Sequence, residues 1–203
     1  MQEAATVVVR VLEQRDSLSE LTHLLHAAYA PWGARGFAFN GVDQSEAVTA
    51  ERVGQGICLV AFVGEQLVGT VLVHGPFRTA PSAYLQRPDI ACVQQFAVHP
   101  EWQRLGVGST LLAQCELCAG EAGYRQLALD TAAALPELVG YYCRRGYVAV
   151  DTMQWPGKGY ASLVLAKPLV PRLQGPADPS HPDLRSHHAL DPASHSSRAC
   201  VHA

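Results

Sequence analysis

The sequence predicts an α/β (α+β) fold, a mixed and mostly antiparallel sheet of six to seven strands with helices on both faces. Three observations carry that prediction. Short β-branched and apolar runs alternate with segments of helical period in the order β, α, α, β, β, β, α, β, α, β, β, the pattern of a layered protein rather than an all-α or all-β one. One long amphipathic segment, 109–122, joins two of the strands as a crossover and confines parallel pairing to its neighbourhood. Capping and turn residues punctuate the chain regularly as far as Leu169, where the composition changes.

The elements follow in order. Thr6 to Leu12 is β-branched and apolar and reads as the first strand. Ser17 and Glu20 form a capping box, after which Leu18, Leu21, Leu25 and Ala28 share one face of a helix that runs out near Tyr29 to Pro31. A looser stretch from Trp32 to Phe39 leads to a second helix at Glu46 to Val53. Ile57 to Val63 and Gln66 to Val73 make a hairpin, because Gly64 in the first loop position suits a tight primed turn. Beyond a Pro-containing loop, 75–88, Ile90 to Val98 is a strand that His99-Pro100 ends. Ser109 to Ala122 is the amphipathic helix, with Leu111, Leu112, Cys115, Cys118, Ala119 and Ala122 on one stripe and Gly123 just past it. Gln126 to Asp130 is the next strand, and Pro136 to Arg145 a helix with Gly146 at its C′ position. Strands return at Tyr147 and over Ala161 to Leu169.

This reads as one domain, 1–169, and a disordered tail, 170–203. The last 33 residues hold five of the nine histidines and five of the thirteen prolines, a composition that cannot bury a core. Fifteen basic against eighteen acidic residues give a net charge of −3, without the basic excess of a general nucleic-acid binder. The longest clean apolar run, Ile57 to Val63, is far shorter than the ~20 residues that cross a bilayer. Glu3, Arg10 and Glu13 break the apolar stretch that a secretion signal needs. The expectation is a cytoplasmic protein with neither a nucleic-acid nor a membrane partner, whose six cysteines are buried free thiols rather than a disulfide framework. No metal is expected: Cys115 and Cys118 have half a zinc spacing but lie on a buried helix stripe, and the tail histidines are irregularly placed.

The segment Gln103-Arg104-Leu105-Gly106-Val107-Gly108-Ser109 lies between a strand and a helix. Its backbone N–H groups can turn towards one point at the helix N-terminus, which attracts anions, and its glycines remove the Cβ atoms that would block a diphosphate. A dinucleotide fingerprint would need a third glycine where Leu111 stands, and a Walker loop would need Gly-Lys-Ser/Thr. The run from Phe96 to Leu112 resembles the acetyl-CoA-binding motif of the GCN5-related N-acetyltransferase (GNAT) superfamily, Gln/Arg-x-x-Gly-x-Gly/Ala, with Gln103, Gly106 and Gly108 at its defining positions. Tyr141-Tyr142-Cys143-Arg144-Arg145-Gly146-Tyr147 is similar to the family's second signature, aromatic-Tyr-x-x-x-Gly-aromatic. With the element order, the resemblance spans about residues 5–169.

The resemblance implies that the strand ending at Val98 and the strand starting at Gln126 are a splayed parallel pair with the pantetheine arm of acetyl-CoA between them. Phe96, Ala97 and Val98 would hold that arm, and Gln103, Arg104, Leu105, Gly106, Val107, Gly108 and Ser109 the diphosphate. Tyr142 would be the general acid towards the leaving thiolate. The implied reaction moves acetyl from acetyl-CoA, a cosubstrate, to a primary amine of a small molecule or peptide by direct attack in a ternary complex. Association as a homodimer is left open. The chain departs from many relatives at the base, since Cys92, Gln94 and Gln95 stand where Glu or Asp is frequent. His74, Asp89 and His99 remain as candidates by proximity in sequence, and an acyl-CoA-binding or sensor module without turnover stays as the alternative. A weak base favours a low-pKa amine: freeing a lysine-like amine at pH 7 costs about 4.6 kcal/mol, an α-amine about 1.4. Tyr29, Trp32, Phe37, Phe39 and Tyr84 are candidates for an acceptor pocket or for plain packing, and Arg104, Arg144 and Arg145 for phosphate contacts or a solvated surface.

Overall fold

The computed structural model describes residues 6–170. Its seven strands are β1 (Val7–Val11), β2 (Ile57–Val63), β3 (Gln66–His74), β4 (Ile90–Val98), β5 (Gln126–Ala132), β6 (Val148–Met153) and β7 (Ser162–Pro168). They form one sheet in the order β1-β2-β3-β4-β5-β7-β6. Every neighbouring pair is antiparallel except β4 with β5. The helices are α1 (Leu18–Gly33), α2 (Glu46–Val53), α3 (Val107–Glu121) and α4 (Pro136–Cys143), with short 3₁₀ turns at Asn40–Val42 and Pro100–Trp102. The predicted fold class is the observed one.

Alternation along the strands divides the core between two faces. Cys58 and Val60 of β2 pack with Leu21 and Leu24 of α1. Ile57, Leu59 and Ala61 face the other way, towards the stripe Val107, Leu111, Leu112, Cys115, Cys118 and Ala119 of α3. The loop at 75–88 covers the rest of the α1 face, where Ala80 and Leu85 meet Cys92 and Ala128. Four cysteines are therefore buried thiols as expected, whereas Cys143 is exposed at the end of α4.

Helix ends follow their caps. The Ser17 hydroxyl accepts from the Glu20 N–H and opens α1. The helix outlasts its expected end at Pro31, because a proline deletes only its own N–H: Ala34 still donates to Ala30 at 3.0 Å. Gly36, at φ +86, then turns the chain so that Phe37 N–H reaches the Trp32 carbonyl. The same closure recurs where Tyr124 N–H donates to Ala119 and Tyr147 N–H to Tyr142, about Gly123 and Gly146. At the other end, α3 begins two residues before the expected Ser109, because Gly106, at φ +91, takes the N-cap and its carbonyl accepts from Thr110 N–H.

The sheet is interrupted at its centre. β4 and β5 pair only through Ile90 with Gln126, Ala91 with Leu127 and Cys92 with Ala128, after which the strands part. On its other side β4 carries a bulge, where the register against β3 shifts between Thr70 and Leu72 and Gln95 takes a left-handed φ of +48. The splayed parallel pair is present.

Among the described residues no helix is long and apolar enough to cross a membrane, and no group of three or more His, Cys, Asp or Glu could hold a metal ion. Apart from Val170, the tail at 170–203, with its histidines and Cys200, lies outside the described residues.

The seat of α3 on the sheet is tight. A Cβ on Gly69 of β3 would stand 2.8 Å from Leu111 Cδ1 and 3.1 Å from Val107 Cγ1. Gly69→Ala is expected to overpack this contact and lower unfolding stability by about 1–3 kcal/mol in urea titration, without changing the fold seen by circular dichroism.

Candidate functional site

A cavity of about 790 Å³ opens where β4 and β5 part. It runs from the N-terminus of α3, along the freed edges of the two strands, to the connection between α1 and α2. The bottom of the gap is built from residues 93–98 of β4 and 129–131 of β5. His99 N–H donates to the Val68 carbonyl on β3 at 2.9 Å, so alternation sends the Val98 N–H into the gap.

At the α3 end, Arg104 at φ +63 and Gly106 at φ +91 bracket Leu105. Alternating backbone hand of this kind aims successive N–H groups to one side and makes an anion-binding nest. The N–H groups of Val107, Gly108 and Ser109 add to it, since the helical ladder starts only at Thr110. A Cβ on Gly108 would fall 2.9 Å from Tyr141 Oη and 3.2 Å from Phe96 Cζ, so glycine keeps this hollow open. Gln103, Arg104, Gly106, Gly108 and Ser109 line the cavity. Leu105 is 65% exposed and Val107 only 1%, facing solvent and core respectively, and they offer the cavity backbone alone. Arg145 lies 3.6 Å over the Tyr141 ring and donates to Ser109 Oγ. Arg144 is outside the lining.

Phe96, Ala97 and Val98 line the middle of the gap. Two of their carbonyls already accept side-chain hydrogen bonds, Phe96 from Tyr29 Oη and Val98 from Gln103 Nε2, each at 3.0 Å. Each keeps a second lone pair.

Tyr142 projects from α4 into the same space. It is 9% exposed and packed against the rings of Phe96, Tyr141 and Tyr147. Burial pushes its hydroxyl well above the ordinary tyrosine range, and the neighbouring Tyr29, Tyr141 and Asp130 push the same way. It is protonated at any physiological pH.

Asp130 is the group that sequence reasoning missed. It is set deep in the cavity at the point where β5 leaves β4, and its Oδ2 accepts from Trp155 Nε1 at 2.9 Å. Burial raises its pKa above the usual carboxylate range, against the hydrogen bonds from Trp155 and Ser162 and the charges of Lys158 and Arg52. The available signal was a lone carboxylate closing an apolar strand beside a parallel crossover, the strand end at which open α/β sheets place their sites. The three candidates chosen by sequence proximity lie elsewhere. Asp89 pairs with Arg87, His99 lies 3.9 Å from Glu101, and His74 packs on Phe77 outside the lining.

A family model described as an acetyltransferase (GNAT) domain matches residues 54–149. That segment of the chain is GNAT-like. Among solved structures it is similar to the ribosomal-protein-S18-alanine N-acetyltransferase of Escherichia coli, with a TM-score of 0.62 at 18% identity over 84% of this chain and 97% of that one. It is also similar to a GNAT acetyltransferase of Elizabethkingia anophelis with acetyl-CoA bound, TM-score 0.57 at 15% identity over 80% and 98% of the two chains. An acetyltransferase of Bacillus subtilis in complex with CoA gives 0.60 at 17% identity over 81% and 100%. At these identities the likeness is one of fold. No curated protein matches the chain by sequence.

The far end of this cavity is aromatic. Of the aromatic candidates, Tyr29, Trp32 and Phe39 line it, joined by Phe77, Trp155 and Tyr160, which the sequence did not point to. Phe37 stands behind them, edge-on to Tyr160 at 5.2 Å and stacked on Phe39 at 6.2 Å. Tyr84 takes the packing alternative: its hydroxyl donates to Gln126 Oε1 and its ring packs beneath the sheet, where the 75–88 loop folds back.

A raised carboxylate pKa sets the sign of a pH effect. Asp130 binds its proton more tightly folded than unfolded, so it favours the fold at low pH and loses that contribution as it ionises. Asp130→Asn, whose amide oxygen still suits Trp155, is expected to be the more stable of the pair at neutral pH. Its advantage in thermal melts grows as pH rises above about 4 and levels off once the wild-type carboxylate is ionised.

Proposed function

We propose that the domain at 1–169 transfers acetyl from acetyl-CoA to a primary amine by direct attack in a ternary complex. One observation carries this reading: a single cavity links an amide-rich helix entrance to a protonated tyrosine and a half-buried carboxylate, in a gap between two strands. The residues fit the cosubstrate. The hollow at Gly108 and the N–H groups of residues 104–109 suit a diphosphate, with Arg104 and Arg145 beside it. The freed edge of β4 at Phe96–Val98 suits an extended arm that carries amides.

Acetyl-CoA supplies an activated thioester, and this chain's residues handle charge and protons around it. The Val98 N–H faces the gap and stabilises negative charge on the carbonyl oxygen, a donor typically worth about 3 kcal/mol. Asp130 takes the proton that the attacking amine loses as the new C–N bond forms. Tyr142 gives its proton to sulfur as the C–S bond breaks. A strongly raised tyrosine pKa would make that transfer uphill in water, but exclusion of water by the bound cosubstrate raises the thiol in the same direction. Donor and acceptor rise together in a dry site.

Asp130 also removes the main reason for reading the chain as an acyl-CoA-binding module without turnover, which was the lack of a carboxylate near β4. A primary amine is the favoured acceptor because the E. coli neighbour is named for acetylating an alanine of a ribosomal protein. Tyr142→Phe is expected to lower kcat by about 100-fold or more in a thiol-release assay, with acetyl-CoA affinity by calorimetry kept within about twofold. Tight binding of acetyl-CoA by the wild type, with no thiol released for any amine of a broad panel, would return the reading to a binding module.

A further inference from the structure

Two polar side chains in the cavity have hydrogen-bonding capacity that the protein leaves unused. Gln95 is 6% exposed, and among the described residues neither Oε1 nor Nε2 of its amide has a partner. A buried amide without partners is rare in a folded protein. Its backbone is held at φ +48 by the β4 bulge, a conformation that disfavours a side chain, and the residue lines the cavity. Arg52, from the last turn of α2, is the second. Its Nη2 donates to Gln94 Oε1 at 2.8 Å, while Nε is buried without a partner and the guanidinium forms no ion pair among the described residues. A half-buried guanidinium lacking its anion and an amide lacking its partners, both lining one cavity, are the chemistry of a carboxylate site.

Resting on the acetyltransferase reading, we infer that the acceptor is a free α-amino acid whose carboxylate is held by Arg52 and the Gln95 amide N–H while its amine faces Asp130. The Gln95 Oε1 accepts from the same amine. One carbon separates amine from carboxylate in such a molecule, which matches two anchors that share one end of one cavity. Phe39, Trp155 and Tyr160 wall that end and select a large apolar or aromatic side chain. Lys158 donates to the Ala38 carbonyl and to Asn40 Oδ1, tying the β6–β7 connection to the α1–α2 connection across the mouth. A residue inside a polypeptide would have to thread past that tie, and the first residue of a peptide brings an amide carbonyl where Arg52 requires an anion.

The test compares L-phenylalanine, L-phenylalanine amide and phenethylamine as acceptors. The wild type is expected to show a kcat/KM for L-phenylalanine roughly 10- to 100-fold above either carboxylate-free amine, the scale of a charge-assisted hydrogen bond. The amide's amine is the least basic of the three, so a slower rate with it cannot come from protonation. Arg52→Gln should bring the ratio of L-phenylalanine to phenethylamine close to one. Turnover of all three amines at similar rates overturns the carboxylate site and leaves the acetyltransferase reading standing. Absence of thiol release with any of them counts against that reading instead. Calorimetry on the CoA-saturated protein then decides the inference: L-phenylalanine binding that Arg52→Gln abolishes supports it, and no binding overturns it. If Arg52→Gln fails to fold, tighter binding of L-phenylalanine than of its amide to the wild type supports the carboxylate site, and equal binding overturns it.

Discussion

Everything at the site depends on three residue pairs. β4 and β5 hold together through Ile90, Ala91 and Cys92 against Gln126, Leu127 and Ala128, and then separate. An open sheet edge inside a protein leaves backbone N–H and C=O groups without their ladder, and such groups demand partners. The chain supplies some of them itself, through Tyr29 and Gln103 onto the carbonyls of Phe96 and Val98. The N–H side of that edge is left for a ligand whose own backbone-like amides can complete it. The bulge at Gln95 belongs to the same device: it bends β4 away from β5 and, in doing so, turns a polar side chain into the cavity.

The second constraint is the close seating of α3. Its buried stripe fixes the helix against β2 and β3, and Gly69 lets it approach so far that a methyl group would collide with Leu111. Because the helix cannot slide, the turn before it must climb from the end of β4 in a few residues, and the left-handed Arg104 and Gly106 are how it does so. The geometry that closes the crossover is therefore the one that gathers its N–H groups. Packing on one face of the sheet prepares an anion site at its end.

Most of the fold was legible in the sequence because strand and helix periods agree with the caps. Gly123 and Gly146 sit where the hydrogen bonds close α3 and α4, and the pairing limits of β2 and β3 were fixed by Gly64 and the alternation around it. The misses are local in cause. Pro31 reads as a stop, yet a proline near a helix end removes one bond and leaves the rest, so α1 ran on to Gly33. Gly106 reads as loop, yet a left-handed N-cap opened α3 two residues early. At the site, the Gly-rich turn and Tyr142 carry recognisable spacing, whereas Asp130, Trp155, Tyr160, Arg52 and Gln95 converge from β5, the β6–β7 connection, α2 and a bulge. No sequence window contains them. Acidic residues were sought near β4 in sequence, and the one that enters the cavity stands across the gap, on the neighbouring strand.

The most direct test of the central claim is amide hydrogen exchange with and without coenzyme A. If the parted strands and the α3 entrance hold the cosubstrate, the ligand should slow exchange at Phe96, Val98 and residues 104–109 while leaving the β6 edge unchanged. Protection confined to some other surface, or no change in these amides at saturating coenzyme A, would contradict the account.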